Sequence, residues 1–173
     1  SGIPGTVGAA PIQNIGAYGH EVSEVIARVR TWDRKAGALK TFSNSDCEFG
    51  YRSSKFKKER DRYVILDVTF QLRNGEMSLP IAYQELADHL RVALGDRALV
   101  TDVRSAVLEL RARKGMVLDG KDHDTWSAGS FFVNPIVSAD VAAKLPSEAP
   151  RWPQSDGRVK LSAAWLMEKS GVN

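Results

Sequence analysis

The strongest constraint on how this chain folds is the alternation of apolar and polar side chains in residues 62–73. Apolar side chains recur there at every second position, which is the period of a β-strand with one buried face. The sequence therefore predicts a strand whose buried face carries Val64, Leu66, Val68, Phe70 and Leu72. Ile65 breaks the alternation, which predicts burial of both faces in the N-terminal half. Asn74 and Gly75 then end the strand as a turn.

Another strand pair is predicted earlier in the chain. Residues 22–32 alternate as a strand, residues 33–37 form a turn, and residues 39–42 return as the hairpin partner. Between this hairpin and the strand over 62–73 lies a group of cations that we interpret as a solvated loop. Its members are Lys55, Lys57, Lys58 and Arg60.

Helical patterns follow the strands. Residues 83–94 carry leucines at helical spacing, and residues 101–115 form a second helix with Thr101 as its N-cap. The cations at the C-terminal end of the second helix complement its dipole: Arg111, Arg113 and Lys114. Two shorter helices are predicted over 139–144 and 162–169. Strands followed by helices predict an α+β fold.

The composition is that of an ordinary globular chain, with 43% hydrophobic and 26% charged side chains among 173 residues. No run approaches the roughly 20 apolar residues of a membrane span. The single Cys47 excludes an internal disulfide, and His123 between two aspartates lacks the spacing of a metal site, so no metal is predicted. The formal net charge of +3 comes without a long basic tract interleaved with aromatic residues. We expect a monomer of the reducing cytoplasm that binds neither membrane nor nucleic acid.

Three segments carry residue types that chemistry uses. Residues 1–19 are rich in glycine, which allows main-chain N–H groups to approach a flat ring or a phosphate. Residues 51–52 are a Tyr-Arg pair. Residues 127–135 read Ser-Ala-Gly-Ser-Phe-Phe-Val-Asn-Pro, and their adjacent phenylalanines are expected to bury the segment and hold Ser130 in place. Taken one at a time, these segments indicate only a connecting loop, an exposed arginine and a buried turn.

Together and in order, the three segments resemble the motifs of the UDP-N-acetylenolpyruvoylglucosamine reductase (MurB) family. The first is similar to its flavin-binding signature, the second to its substrate-facing segment, and the third to its proton-donor loop. The resemblance runs from Ser1 to about Trp165. It implies the later part of a PCMH-type FAD-binding lobe over 1–99, followed by part of an α+β substrate-binding lobe over 100–173. It also implies a fragment that lacks the family's N-terminal flavin-binding segment and its C-terminal segment.

The activity that the resemblance implies is the NADPH- and FAD-dependent reduction of UDP-N-acetylglucosamine enolpyruvate to UDP-N-acetylmuramate in peptidoglycan precursor synthesis. Arg52 is implied to stabilise the enolate and Ser130 to protonate it, in one shared pocket. The implied FAD contacts are Gly8, Ala9, Ile12, Asn14, Ile15, Gly16, Ala17, Tyr18 and Ile65. The implied substrate contacts are Tyr51, Arg52, Tyr83, Lys114, Ser130, Asn134, Trp152, Gln154 and Lys160.

Two positions depart from the family pattern. Ser53 stands where aspartate is often found, and Val133 stands where lysine is often found. Two other functions stay open from the sequence. One is a non-catalytic module that binds a UDP-sugar or another nucleotide, and the other is a basic nucleic-acid-binding domain, whose affinity would fall steeply with salt.

Overall fold

The strands within residues 16–70 precede the helices within residues 84–113, as the sequence predicts. The computed structural model describes residues 1–127 and 130–171, which form two compact units that divide after Ser127. The first unit opens with a hairpin of two short strands, β1 (Gly16–Ala17) and β2 (His20–Glu21). Among the described residues, no helix combines the length and the apolarity that crossing a bilayer requires.

The main sheet of the first unit contains three antiparallel strands: β3 (Ile26–Asp33), β4 (Ala38–Ser43) and β5 (Tyr63–Phe70). Their order is β4-β3-β5. The predicted hairpin is confirmed, because β3 and β4 pair in register on either side of the turn over 33–37. The strand predicted from residue 22 begins later, since Val22–Glu24 forms a 3-10 helix.

The apolar face predicted for the strand over 62–73 is largely wrong. Side chains that the alternation assigns to the interior are exposed: Val64, Leu66, Phe70 and Leu72. Of the predicted face, Val68 packs against the buried cluster of Ile26, Val29, Phe42, Cys47 and Phe56, and Ile65 joins it. For Val64 and Leu66 the cause is a register shift, because consecutive residues of β3, Arg30 and Thr31, pair with Asp67 and Ile65. Leu66 is therefore the extra residue of a bulge, and the alternation changes face across it.

The cationic segment that the sequence predicts as a solvated loop is partly helical. A single turn, α1 (Lys55–Lys58), follows Ser54, whose Oγ accepts a hydrogen bond from the Lys57 N–H at 3.2 Å. Such an N-cap satisfies a donor that the first turn would otherwise leave free. Phe56, only 6% exposed, points from this turn into the core of the main sheet.

Helices α2 (Gln84–Leu90) and α3 (Val100–Arg113) form the second core of the first unit. They pack around the buried side chains of Ile81, Leu86, Ala87, Ala106 and Leu110. Helix α2 is shorter than the helix predicted over 83–94, because Arg91 takes the left-handed conformation with φ of 57°. Thr101, predicted as the N-cap of the next helix, lies inside the first turn of α3.

The second unit combines a small sheet with two short helices. Its elements are β6 (Ile136–Val137), α4 (Ala139–Ala143), β7 (Arg151–Pro153), β8 (Val159–Leu161) and α5 (Ala163–Lys169). The strands are antiparallel in the order β6-β8-β7. Both helices are close to the predicted bounds, whereas the strands have no counterpart in the sequence prediction because each has only two or three residues.

Candidate functional site

The hairpin of β1 and β2 gives the glycine-rich opening its shape. Tyr18 and Gly19 at its tip have φ of 53° and 84°, as a two-residue type I′ turn requires. A Cβ atom on Gly19 would lie 2.8 Å from the Cβ of Ala82, and one on Gly16 would lie 2.7 Å from the carbonyl oxygen of His20. Both positions therefore need glycine for the chain to follow this path.

Asn14 connects the glycine-rich opening, residues 1–19, to the rest of the first unit. Its side chain is only 1% exposed and its φ of 47° is left-handed. The Nδ2 group donates to the Glu21 carboxylate at 2.6 Å and to the Gly50 carbonyl at 3.1 Å, and Oδ1 accepts from the Ser23 N–H at 3.0 Å. One amide thus connects the hairpin, the segment after it and the segment just before the Tyr-Arg pair.

Asn14→Ala is expected to lower the free energy of unfolding by about 3 kcal/mol, because two backbone groups and a carboxylate lose their buried partner. The left-handed backbone adds to the loss, since alanine disfavours it. Denaturant unfolding followed by circular dichroism measures the effect. Asn74→Ala, at an exposed position outside the helices and strands, is the matched control and should change stability by no more than about 0.5 kcal/mol. Equal effects of the two substitutions would contradict the anchoring role of Asn14.

Arg52 connects the Tyr-Arg pair to the opening. Its Nη2 donates to the Gly16 carbonyl at 2.7 Å, and its Nη1 lies 3.9 Å from Glu21 Oε1. The guanidinium also stands over the ring of Tyr51, 5.0 Å from the centroid. The structure therefore brings the predicted catalytic arginine to the predicted flavin-binding segment, while the catalytic role itself stays a prediction.

Two residues predicted to contact substrate lie beside the hairpin tip. The rings of Tyr18 and Tyr83 meet edge to face, with centroids 5.3 Å apart. Lys114 donates to Glu85 at 2.5 Å, and this hydrogen bond raises the pKa of the ammonium group. Burial raises the pKa of Tyr18, an effect that the positive charge of Lys114 opposes. Tyr83 and Lys114 thus share one neighbourhood with the predicted flavin contact Tyr18.

A cavity of about 430 Å³ opens between the hairpin and helix α3. Four predicted flavin contacts line it: Ile15, Gly16, Ala17 and Tyr18. Helix α3 contributes Val103, Val107 and Arg111 from the opposite side. The Nε atom of Arg111 is buried and has no hydrogen-bond partner among the described residues. A donor in this state is uncommon in folded proteins.

The sequence interpretation missed Arg111, which it assigned only to the helix dipole. The signal was present, because Val103, Val107 and Arg111 follow one another at intervals of four on a single helix face. A cation on the same helix face as an apolar stripe points in the same direction as that stripe. Here the stripe faces the cavity.

The remaining predicted flavin contacts lie elsewhere in the first unit. Gly8 and Ala9 belong to a 3-10 helix next to β5, where a Cβ on Gly8 would lie 3.8 Å from the side chain of Ile65. Ile12 lines a different cavity, and its carbonyl accepts a hydrogen bond from Ser54 Oγ. The structure thus separates the predicted set into a group at the cavity and a group beside the main sheet.

In the second unit, three predicted substrate contacts share one hairpin. Trp152 and Lys160 pair across β7 and β8, with Lys160 Nζ 5.5 Å from the Trp152 ring centroid. Gln154 Nε2 donates to the Trp152 carbonyl at 2.8 Å. Asn134 stands close to this sheet, because its Oδ1 accepts from the Ala163 N–H at 2.9 Å, just after β8 ends.

The expectation that the two phenylalanines bury the segment around Ser130 is wrong. Phe131 is 91% exposed and Phe132 is 53% exposed, because the rings pack edge to face on each other, 5.0 Å apart, rather than into a core. Ser130 itself is exposed. Residues 128 and 129 of this segment lie outside the described residues. The predicted pocket shared by Arg52 and Ser130 stays a prediction.

Comparisons with known proteins agree with one another. No protein-family model matches the chain. Over 171 residues the chain is 60% identical to the UDP-N-acetylenolpyruvoylglucosamine reductase of Cutibacterium acnes, covering 99% of this chain and 45% of that protein. It is 52% identical over 182 residues to the reductase of the same name from Streptomyces coelicolor, covering 99% of this chain and 48% of that protein. The chain spans about half the length of the curated relatives it matches.

Among solved structures, the crystal structure of UDP-N-acetylenolpyruvylglucosamine reductase (MurB) from Thermus caldophilus is similar, with a TM-score of 0.53 at 21% identity. The match covers 98% of this chain and 43% of the other. The fold is therefore a mixed helix-and-sheet fold of that class, which confirms the α+β prediction in its coarse form. The sequence relatives are more specific, and the chain belongs to the UDP-N-acetylenolpyruvoylglucosamine reductase family.

Proposed function

We propose that this chain provides flavin- and substrate-binding residues for the NADPH- and FAD-dependent reduction of UDP-N-acetylglucosamine enolpyruvate to UDP-N-acetylmuramate. The observation that carries the proposal is the hydrogen bond of 2.7 Å from Arg52 Nη2 to the Gly16 carbonyl. It fixes a guanidinium against Gly16, which lines the cavity. Bound FAD, once reduced by NADPH, would supply the hydride. Arg52 would then stabilise the negative charge that develops on the substrate.

The cavity suits a flat and mostly apolar ring system. Its volume of about 430 Å³ lies within the range of small-molecule sites. Ile15 and Val107 give it apolar walls, and Arg111 adds a guanidinium to the lining. The residues present therefore fit a flavin.

The lobe assignment forms part of the same proposal. Residues 1–99 would be the later part of a PCMH-type FAD-binding lobe, and residues 100–173 would belong to the substrate-binding lobe. Helix α3 packs on α2 within the first compact unit, so the second lobe would contribute Arg111 to the flavin cavity and Lys114 to the neighbourhood of Glu85. On the second unit, an aromatic ring beside an ammonium group at Trp152 and Lys160 suits the uracil and the diphosphate of the substrate.

Gly16→Val tests the flavin half of the proposal. A side chain at this position would collide with the His20 carbonyl and come within 3.2 Å of Arg52 Nη1, which distorts the cavity wall. Titration of the purified chain with FAD, followed by flavin fluorescence, should show affinity reduced at least about tenfold. Gly120→Val is the matched control, since a Cβ there meets no atom within 4 Å. Failure of the parent chain to bind FAD saturably would contradict the assignment.

A titration with UDP-N-acetylglucosamine separates the reductase from a non-catalytic nucleotide-binding module. Thermal stabilisation by the UDP-sugar, lost in Trp152→Ala, together with FAD binding supports the reductase. The same stabilisation without FAD binding would favour the module instead. The two ligands report on different units of the chain, so one result does not determine the other.

A further inference from the structure

A second cavity of about 420 Å³ lies beside the main sheet, and Ile12 is the one residue with a predicted role among those that line it. It shares no lining residue with the cavity between the hairpin and α3. Three cationic side chains line it, Arg34, Lys57 and Arg60, against the single carboxylate of Asp61. The cations approach from separate segments, the β3–β4 turn and the region around α1, so the fold rather than a local run gathers them.

The ion pairs of this region do not neutralise the three cations that line the cavity. The neighbouring carboxylates are engaged by cations that do not line the cavity: Glu48 by Lys55 and Lys58, Glu59 by Lys55 and Arg62, and Asp33 by Arg62. Among the described residues, Arg34 and Arg60 form no ion pair, and Lys57 donates only to the Arg52 carbonyl at 2.8 Å. The cavity therefore keeps a net positive charge after local pairing.

The Tyr63 hydroxyl adds an unused donor. Its oxygen is buried and has no hydrogen-bond partner among the described residues. The ring is held edge to face by Phe42 and Phe56, with centroids 5.0 Å and 5.9 Å away, so the hydroxyl cannot swing out to solvent. Tyr63 also lines the cavity. Because this oxygen has almost no accessible surface, an anionic ligand would contact it only after a small shift of the cavity wall.

We propose that this cavity binds the diphosphate group of a small ligand. Arginine forks and an ammonium group are the usual partners of phosphate oxygens. A diphosphate fills more of a space of about 420 Å³ than a single phosphate does. Its charge also matches the three cations better. The site shares no lining residue with the cavity that we propose for the flavin ring.

Titration of the chain with inorganic pyrophosphate, by calorimetry in metal-free buffer, tests the site. Saturable binding is expected, and Arg34→Gln and Arg60→Gln should each weaken it about tenfold. Arg97→Gln is the matched control, because Arg97 is exposed and does not line the cavity. Since Arg34 and Arg60 are exposed, melting temperatures should stay close to that of the parent chain. Absence of saturable binding, or equal losses in all three variants, overturns the proposal.

Tyr63→Phe separates a ligand contact from a structural role. Because the hydroxyl has no partner in the free chain, its removal should leave stability unchanged or raised while pyrophosphate affinity falls. Unchanged affinity would overturn the assignment of the hydroxyl. Competition by FAD against pyrophosphate would identify the diphosphate as that of the flavin cofactor, and independent binding of both would identify a separate ligand. Because pyrophosphate binding is measured without FAD, its result does not depend on whether the proposed reductase function is correct.

Discussion

Ser130→Ala in the FAD-loaded protein is expected to slow flavin reoxidation by the enolpyruvyl substrate by about 10² to 10⁴-fold, the usual contribution of a positioned proton donor. Flavin reduction by NADPH should stay nearly unchanged, since no proton is delivered to the substrate in that half-reaction. Ser130 is exposed, so loss of its hydroxyl removes little packing. Stopped-flow absorbance of the flavin resolves the two half-reactions.

Ser138→Ala is the matched control for the loss of one hydroxyl in the same unit. Ser138 is the N-cap of α4, but its side chain makes no capping hydrogen bond. Both half-reactions should therefore proceed at parental rates. Equal slowing of reduction and reoxidation in Ser130→Ala would show that this serine is structural, and the proton donor would have to be sought elsewhere.

The elements that the sequence predicts correctly depend on local patterns. The hairpin of β3 and β4 follows from alternation on both sides of a turn, and α3 follows from an apolar stripe that ends at Gly115. The strand β5 shows where such reasoning fails. A bulge at Leu66 is set by the pairing with β3, and it reverses which side chains reach the core. Nothing within residues 62–73 specifies that partner.

The candidate site likewise has features that follow from the sequence and features that depend on the folded chain. The opening motif indicates that residues 14–18 act together, because their order matches a family signature. The contacts that hold them do not follow from order, since Asn14 reaches Gly50 and Arg52 reaches Gly16 only in the folded chain. The orphaned donors of Arg111 and Tyr63 are likewise visible only once burial is known. A buried donor without a hydrogen-bond partner can be recognised only in the folded structure.

Arg52→Lys is expected to slow the reoxidation half-reaction by about 10² to 10³-fold, the cost of losing one donor aimed at developing negative charge. The structure gives the reason. One terminal nitrogen of Arg52 is used by the Gly16 carbonyl and the other lies 3.9 Å from Glu21 Oε1, so the guanidinium would have to serve these partners and the substrate together. The lysine ammonium is a single point, so it cannot hold the carbonyl and also reach the substrate with the geometry of a planar fork.

The left-handed backbone at position 52 does not affect the comparison between arginine and lysine. Arg52 has φ of 50°, and lysine pays the same penalty there as arginine, so the free energy of unfolding should change little. Arg28→Lys is the matched control, because Arg28 is exposed on the main sheet and donates only to Thr69 Oγ1 at 3.2 Å. A selective loss of reoxidation in Arg52→Lys, absent in Arg28→Lys, would place the guanidinium at the reacting carbon. An equal loss in both half-reactions, or a large loss of stability, would instead show that Arg52 has a structural role and connects the Tyr-Arg pair to the opening.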